Sequence, residues 1–240
     1  GTAFEQYKDI YTSITLFATH DDLRTNSTAS TALQNQKGEF TELAAEYGFT
    51  YDQRNRKFAP TSGSITKFSQ ALPFYADKPY ISNSFAHSLY KSFGENLIGS
   101  SRLSLAAING LNDENVRLSK RKLVSSKKLR GFEKGKVGPK DGKDHVGGNY
   151  ISTLNFDAKL PNILPESYNT DIGFFLDFGN VWGVDYDSSI DESNKMRSST
   201  GIAVSYLSPL GPLSFTLSTN LAKASTDKTE SFNFSLGTQF

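Results

Sequence analysis

The residues able to do chemistry are few and scattered. The chain has no cysteine and only three histidines, His20, His87 and His145, far apart in sequence. That removes structural disulfides, thiolate metal sites and cysteine nucleophiles. No histidine spacing makes a metal site, so each reads as a surface or loop residue. Gly63-Ser64 lacks a nucleophile elbow, and no glycine-rich phosphate loop precedes a Lys-Ser/Thr pair. The carboxylate pairs Asp21-Asp22 and Asp191-Glu192 lie in polar loops, where water solvates them. What remains is Arg130, in Leu129-Arg130-Gly131-Phe132 within a basic loop, and two aspartates, Asp157 and Asp177, in alternating segments. A guanidinium and two carboxylates can form forked, charge-assisted hydrogen bonds. They do not by themselves make or break covalent bonds. Taken alone, the tetrapeptide reads as a solvated surface turn.

The elements around these residues are strands. Phe232, Phe234, Leu236, Thr238 and Phe240 share one parity, and Asn233, Ser235, Gly237 and Gln239 the other. A period of two means a strand with one apolar and one polar face. The same stripe recurs in Leu213–Leu221, Ile202–Tyr206, Ile172–Phe178, Leu154–Leu160 and, more weakly, Leu103–Ala107. Upstream, 62–75 and 77–93 read as strands, 40–55 carries Leu43, Ala45, Tyr47, Phe49 and Tyr51 on one parity, and 10–20 reads as the first strand. This gives about ten strands, many longer than the roughly five or six residues usual in soluble domains. A tilted transmembrane strand needs about 9–11. Asp157 and Asp177 sit on the polar parity of their strands and are expected to face the lumen.

Composition agrees with this class. No apolar run reaches the roughly 18 residues of a spanning helix. The mean hydropathy of −0.44 does not argue against a barrel, whose membrane face is hidden in alternation. Phe 18 and Tyr 11 suit aromatic girdles. A formal net charge of +1 gives no case for nucleic acid. Gly1-Thr2-Ala3-Phe4 carries no signal-peptide pattern. Residues 21–39 and 112–149 read as long connections, the second with Lys120-Arg121-Lys122 and Lys127-Lys128. Ser208-Pro209-Leu210-Gly211-Pro212 reads as a tight turn. Long loops at one rim and short turns at the other are the asymmetry of an outer-membrane barrel.

Several motifs, in order, resemble the BamA-like family of outer-membrane protein assembly factors, the bacterial surface antigen superfamily. They are Tyr51-Asp52-Gln53-Arg54-Asn55 before Pro60-Thr61-Ser62-Gly63; Leu129-Arg130-Gly131-Phe132; Gly147-Gly148-Asn149; Phe174 to Trp182; Ser208 to Pro212; and Phe234 to Phe240. Val124-Ser125-Ser126-Lys127 departs from the family, which has Gly-Gly there. The resemblance implies an all-β, antiparallel transmembrane barrel in the bacterial outer membrane, with loop 112–149 folded inward. It implies a loop latch of Leu129, Arg130, Gly131, Phe132, Asp157 and Asp177, in which Arg130 meets the two acids from inside. It also implies a C-terminal signal strand carried by Phe232, Phe234, Leu236, Gly237 and Phe240. Lysine could not copy the guanidinium's fork, and Gly131 would let the backbone turn beside the wall.

The family barrel has sixteen strands, so this chain is expected to begin near the seventh. It reads as one barrel domain over 1–240, without periplasmic POTRA domains, as a fragment, an engineered form or a natural short relative. The first function implied is that of a non-enzymatic insertase barrel. Its partners would be the lipid bilayer, client outer-membrane proteins and, as in the family, assembly-complex lipoproteins, with no metal or other cofactor. The second is a passive pore or two-partner secretion transporter, and the third a soluble ligand-binding β-sandwich. The terminal strand needs a pairing partner. Either Ile10–Thr19 closes a smaller barrel, or a second chain pairs edge to edge.

Overall fold

The structure, a computed structural model, describes every residue except 162, 166–167, 191–193, 209–210 and 237–240, and leaves out the side chains of 207 and 212. Gly237 and Phe240 of the expected signal strand, Asp191-Glu192, and the middle of the Ser208–Pro212 turn therefore lie outside the described residues.

Alternation of apolar and polar side chains produces long antiparallel strands. They are β1 (Thr2–Tyr7), β2 (Ile10–Leu23), β3 (Gly38–Asp52), β4 (Gly63–Ala76), β5 (Tyr80–Ser92), β6 (Ile98–Gly110), β7 (Lys140–Asp141), β8 (Asp144–His145), β9 (Tyr150–Leu160), β10 (Thr170–Trp182), β11 (Arg197–Ser208), β12 (Gly211–Ala222) and β13 (Phe232–Leu236). Eleven of them form one sheet, each strand beside its neighbour in sequence, and β7–β8 is a separate small hairpin inside the long loop. The main sheet thus has one strand more than the ten expected.

The extra strand is β1, whose Thr2 to Tyr7 pairs with Ile10 to Ile14 of β2. β2 also pairs along its length with β3. Both hydrogen-bonding edges of Ile10–Ile14 are therefore used, and among the described residues no ladder joins β2 to β13, so this segment does not close a ten-stranded barrel. β1 and β13 end the sheet, and among the described residues no ladder joins them. The described residues form an open arc of barrel wall.

The two faces differ as the parity requires. Leu43, Tyr47, Phe49 and Tyr51 of β3, Phe156 of β9, Phe174 of β10, Leu217 and Leu221 of β12, and Phe232, Phe234 and Leu236 of β13 are exposed on the outside. In water such a surface would be an aggregation hazard. Around a barrel it is the band that meets hydrocarbon. The opposite parity carries Glu42, Thr153, Asn155, Asp177, Ser199, Ser214 and Thr216, all buried.

The inner face is covered by residues 112–149. Val124, Leu129, Phe132 and Val137 of this loop pack on Ile151 and Val181 of the wall. The segment that departs from the family makes the turn that allows this, with the amides of Lys128 and Leu129 donating to the Ser125 carbonyl at 3.0 and 3.1 Å. The first long connection shortens to 24–37, because β2 and β3 each run further than expected. It holds one helical turn, α1 (Thr31–Gln34), capped by the Ser30 hydroxyl, which accepts from the Leu33 amide.

Candidate functional site: a loop latched to the inner wall

Arg130 reaches the wall at the centre of the inner face. Its Nε donates to Asp177 Oδ2 at 2.7 Å and its Nη2 to Asp177 Oδ1 at 2.6 Å, a two-pronged fork. Nη1 donates to Asp157 Oδ1 at 2.7 Å. The Arg130 amide also donates to Asp177 Oδ2 at 3.0 Å. The Asp177 side chain is 0% exposed and that of Arg130 6%. Burial works against the Arg130 charge, but the hydrogen bonds and charges of Asp177 and Asp157 outweigh it and raise its pKa above the ordinary value.

The strands position each partner. Asp177 on β10 stands opposite Asn155 on β9, and Asp157 opposite Phe175. All four share the inward parity. Gly131 then turns the chain with a φ of +86°. A Cβ there would approach Asn220 Nδ2 at 3.1 Å, Ser199 Cβ at 3.2 Å and Ser218 Oγ at 3.2 Å. Leu129 and Phe132 flank the pair as buried apolar contacts. The structure therefore brings Leu129, Arg130, Gly131, Phe132, Asp157 and Asp177 into one place. Phe232, Phe234 and Leu236 stand apart, on the outer face.

Several members of this site escaped the sequence reading. Asn155 Nδ2 donates to Asp177 Oδ1 at 2.8 Å and to the Lys128 carbonyl at 2.9 Å, so it holds both acid and loop. Phe175 lies under the guanidinium, with Arg130 Cζ 3.8 Å from its ring centroid, a stacked cation–π contact. Arg102 Nη2 donates to Asp157 Oδ2 at 2.8 Å, so this acid bridges two guanidiniums. The Ser199 hydroxyl donates to the Arg130 carbonyl.

The loop has two further anchors. Glu42 of β3, 0% exposed, accepts from Arg117 Nη2 at 2.8 Å and from the Tyr80 hydroxyl at 2.6 Å, with Lys120 Nζ at 2.8 Å. Its signal was its parity, opposite the Leu43–Tyr51 stripe. Arg121 pairs with Asp185, which also accepts from the Val116 amide at 3.0 Å and from Asn149 Nδ2 at 2.8 Å. Burial alone would raise the Asp185 carboxyl. The Val116 amide, Asn149 and Arg121 together hold it below the usual carboxylate range.

Beyond the loop, Arg197 forks onto Asp227 at 3.0 Å with both side chains 0% exposed, and its Nη1 donates to Asn180 Oδ1 at 2.7 Å. Nothing in the spacing of residues 197 and 227 signalled this pair.

The histidines lie apart. His20 Nδ1 is 3.0 Å from the Thr41 hydroxyl, His87 Nδ1 is 2.9 Å from the Thr66 hydroxyl, and His145 Nε2 is 2.8 Å from the Thr226 carbonyl. Among the described residues, no group of three His, Cys, Asp or Glu side chains is placed to hold a metal ion.

Comparison with known proteins adds the following. The Omp85 superfamily domain matches residues 2–240. The chain is 24% identical over 202 residues to the outer membrane protein assembly factor BamA of Neorickettsia risticii, covering 82% of this chain and 27% of that protein. It is 27% identical over 217 residues to a SAM50-like protein of Schizosaccharomyces pombe, covering 83% and 44%. A 141-residue stretch, 47% of the chain and 17% of the relative, is 32% identical to BamA of Neisseria meningitidis. The crystal structure of Haemophilus ducreyi BamA lacking POTRA domains 1–3 superposes with a TM-score of 0.85 at 24% identity, over 97% of this chain and 52% of that one. The chain spans less than half the length of each of these three sequence relatives.

Proposed function

The chain belongs to the Omp85 superfamily, and on that premise we propose that it is the membrane-embedded barrel part of an outer-membrane protein assembly factor. Residues 1–240 act as one barrel unit, the C-terminal portion of the family barrel. The unit lies in the outer membrane, and its partners are the lipid bilayer, unfolded clients and, in the assembled complex, lipoproteins. It performs no bond chemistry.

The observation that carries this reading is the latch. Arg130 is forked onto Asp177 and bound to Asp157 on the inner face of a sheet whose outer face is apolar. The latch holds the loop against the wall and leaves the sheet's end strand to pair with incoming strands. Such pairing supplies main-chain hydrogen bonds, with alternate side chains giving selectivity. It lowers the barrier to strand insertion without a covalent step.

The test is reconstitution of the full chain in liposomes, followed by addition of an unfolded outer-membrane protein. Faster client folding than in empty liposomes is expected, and Arg130→Ala should reduce the gain. Conductance in a planar bilayer with no folding gain would instead assign the chain to the passive pores and transporters of the superfamily.

A further inference from the structure

The outer face carries a depression between β5 and β10, and its floor follows from register. Lys91, Gly99, Ala158 and Phe174 stand side by side across β5, β6, β9 and β10. Leu89, Ser101, Phe156 and Leu176 form the next row. Both rows share the outward parity of the exposed Phe156 and Phe174. The central positions Gly99, Ser101 and Ala158 are small, whereas Leu103 and Leu105 of β6 and Leu154 of β9 lie further along the same face. Small residues among large ones leave a groove of about 450 Å³ with an almost wholly apolar surface.

Exposed Leu89 and Phe93 wall the groove on one side, and Phe156 and Phe174 on the other. A Cβ at Gly99 would meet the Phe93 ring at 2.8 Å, so this ring lies across the glycine. Lys91 Nζ lies 5.3 Å from the centroid of the same ring. Lys91 is exposed and is the last outward residue of β5, beside the short connection 93–97. The long loop 112–149 leaves β6 at the opposite end. Short connections mark the periplasmic rim of an outer-membrane barrel. The groove therefore lies in the periplasmic half of the apolar band, with a cation at its mouth.

Chemistry limits what can fill it. The main-chain groups of β6 and β9 in these rows are paired on both sides, so no extended peptide can add there. The occupant needs an apolar part for the floor and an anionic part for Lys91, and it must reach both from within the bilayer.

We propose that this groove binds one anionic glycerophospholipid. An acyl chain lies over Gly99, Ser101 and Ala158, and the phosphate meets Lys91. Lysine suits the position because its stem lies along apolar surface while its ammonium reaches the headgroups. The proposal rests on the bilayer placement given under the proposed function and not on client assembly.

The test uses the full chain in liposomes. Its single tryptophan, Trp182, ends β10 at the far rim. Trp182→Phe with Phe174→Trp moves the fluorescent reporter to the groove wall. Quenching by lipids brominated on the acyl chain then shows which lipid occupies the site. Phosphatidylglycerol should be preferred over phosphatidylcholine by about fivefold, the effect of one lysine beside an anionic lipid. Lys91→Gln should bring this ratio close to one, and Lys91→Arg should keep most of it. Ser101→Leu fills the floor and leaves the charge in place. It adds apolar area at a lipid-facing position, so the fold is not at risk, and the ratio should again fall close to one.

Equal quenching by the two lipids in the reporter chain would overturn the proposal, as would an unchanged ratio in Lys91→Gln. An unchanged ratio in Ser101→Leu would overturn it too, because Lys91 would then attract anionic lipid without a groove. Native mass spectrometry from mild detergent with added phosphatidylglycerol should show a retained lipid on a single chain. A two-chain mass without lipid would put a second copy on this face and overturn the site. Absence of quenching by either lipid would overturn the bilayer placement as well, so the two readings fail distinguishably.

Discussion

Replacing Arg130 by lysine keeps the charge and removes the fork, so it isolates geometry from electrostatics. In the parent, three guanidinium nitrogens meet three carboxylate oxygens of Asp177 and Asp157 at 2.6–2.7 Å. The plane also stacks on Phe175. A lysine ammonium is a point charge on a flexible stem and cannot engage both acids in this pattern. Two of the three charge-assisted bonds are lost, each worth about 1.5–3 kcal/mol net. Partial recovery by the ammonium leaves a loss of about 2–4 kcal/mol in loop docking.

Arg130→Ala should cost about 3–5 kcal/mol, the usual result of removing one partner of a buried pair. The lower end is expected, because the residue-130 amide and Asn155 still donate to Asp177. The assay is the rate of proteolytic cutting within residues 112–149 of the folded barrel. When opening is fast relative to cleavage, this rate follows the open population. A loss of about 2–4 kcal/mol predicts cutting roughly 30- to 1,000-fold faster. If the lysine variant is cut within about twofold of the parent, the pair is behaving as a solvated surface bridge, and the latch is wrong.

Three other outcomes follow from the same contacts. Glu42→Ala removes the acceptor of Arg117, Lys120 and Tyr80 and leaves a buried guanidinium without its main acid. New protease sites are expected in 112–122, while 129–138 stays protected, and mapping the fragments by mass checks this. Burial pushes the His145 imidazole below its ordinary value of 6.5. Its neutral form is therefore favoured in the docked loop, and the contribution to docking is complete above that value and lost as pH falls through the lower folded value. Protease protection near residue 145 should fall in that window, and His145→Gln should flatten the dependence. Leu217→Arg places a charge on the exposed outer face of β12. It should reduce barrel stability in bilayers by about 2–4 kcal/mol if residue 217 lies near the midplane, measured by denaturant titration in liposomes.

How far the sequence could be read depends on what each feature leaves in the pattern. A sheet with one lipid face and one polar face writes a period of two, so β3 to β6 and β9 to β13 were visible, as was the inward parity of Asp157 and Asp177. β1 was not. Thr2, Phe4 and Gln6 alternate with Ala3, Glu5 and Tyr7, so neither parity forms an apolar stripe. Its residues are exposed throughout, and its place comes from the ladder with β2. Phe175 was hidden for a different reason. Two phenylalanines in succession must face opposite sides, but parity alone cannot say that the inward one lies beneath a guanidinium. Asp227 lies outside any strand, and Arg197 meets it only because the ladders of β10 to β12 fix where their ends fall. Contacts set by periodicity could be read, while contacts set by register or by loop docking could not.

The loop's placement follows from its charges more than from its apolar area. The apolar cluster of Val124, Leu129, Phe132 and Val137 on the wall favours docking, but burial of this kind is non-directional and would tolerate small shifts. The arginines do not tolerate them. Arg117 and Arg130 meet Glu42 and Asp177 on different strands of the wall, and Arg121 meets Asp185 in the connection after β10. Sliding the loop by one residue would set Leu129 or Gly131 near Asp177 in place of Arg130, leaving a carboxylate without its fork. A buried charge without its partner costs several kcal/mol, so each mismatch opposes the shift. The apolar contacts therefore hold the loop against the wall, and the three ion pairs fix its register.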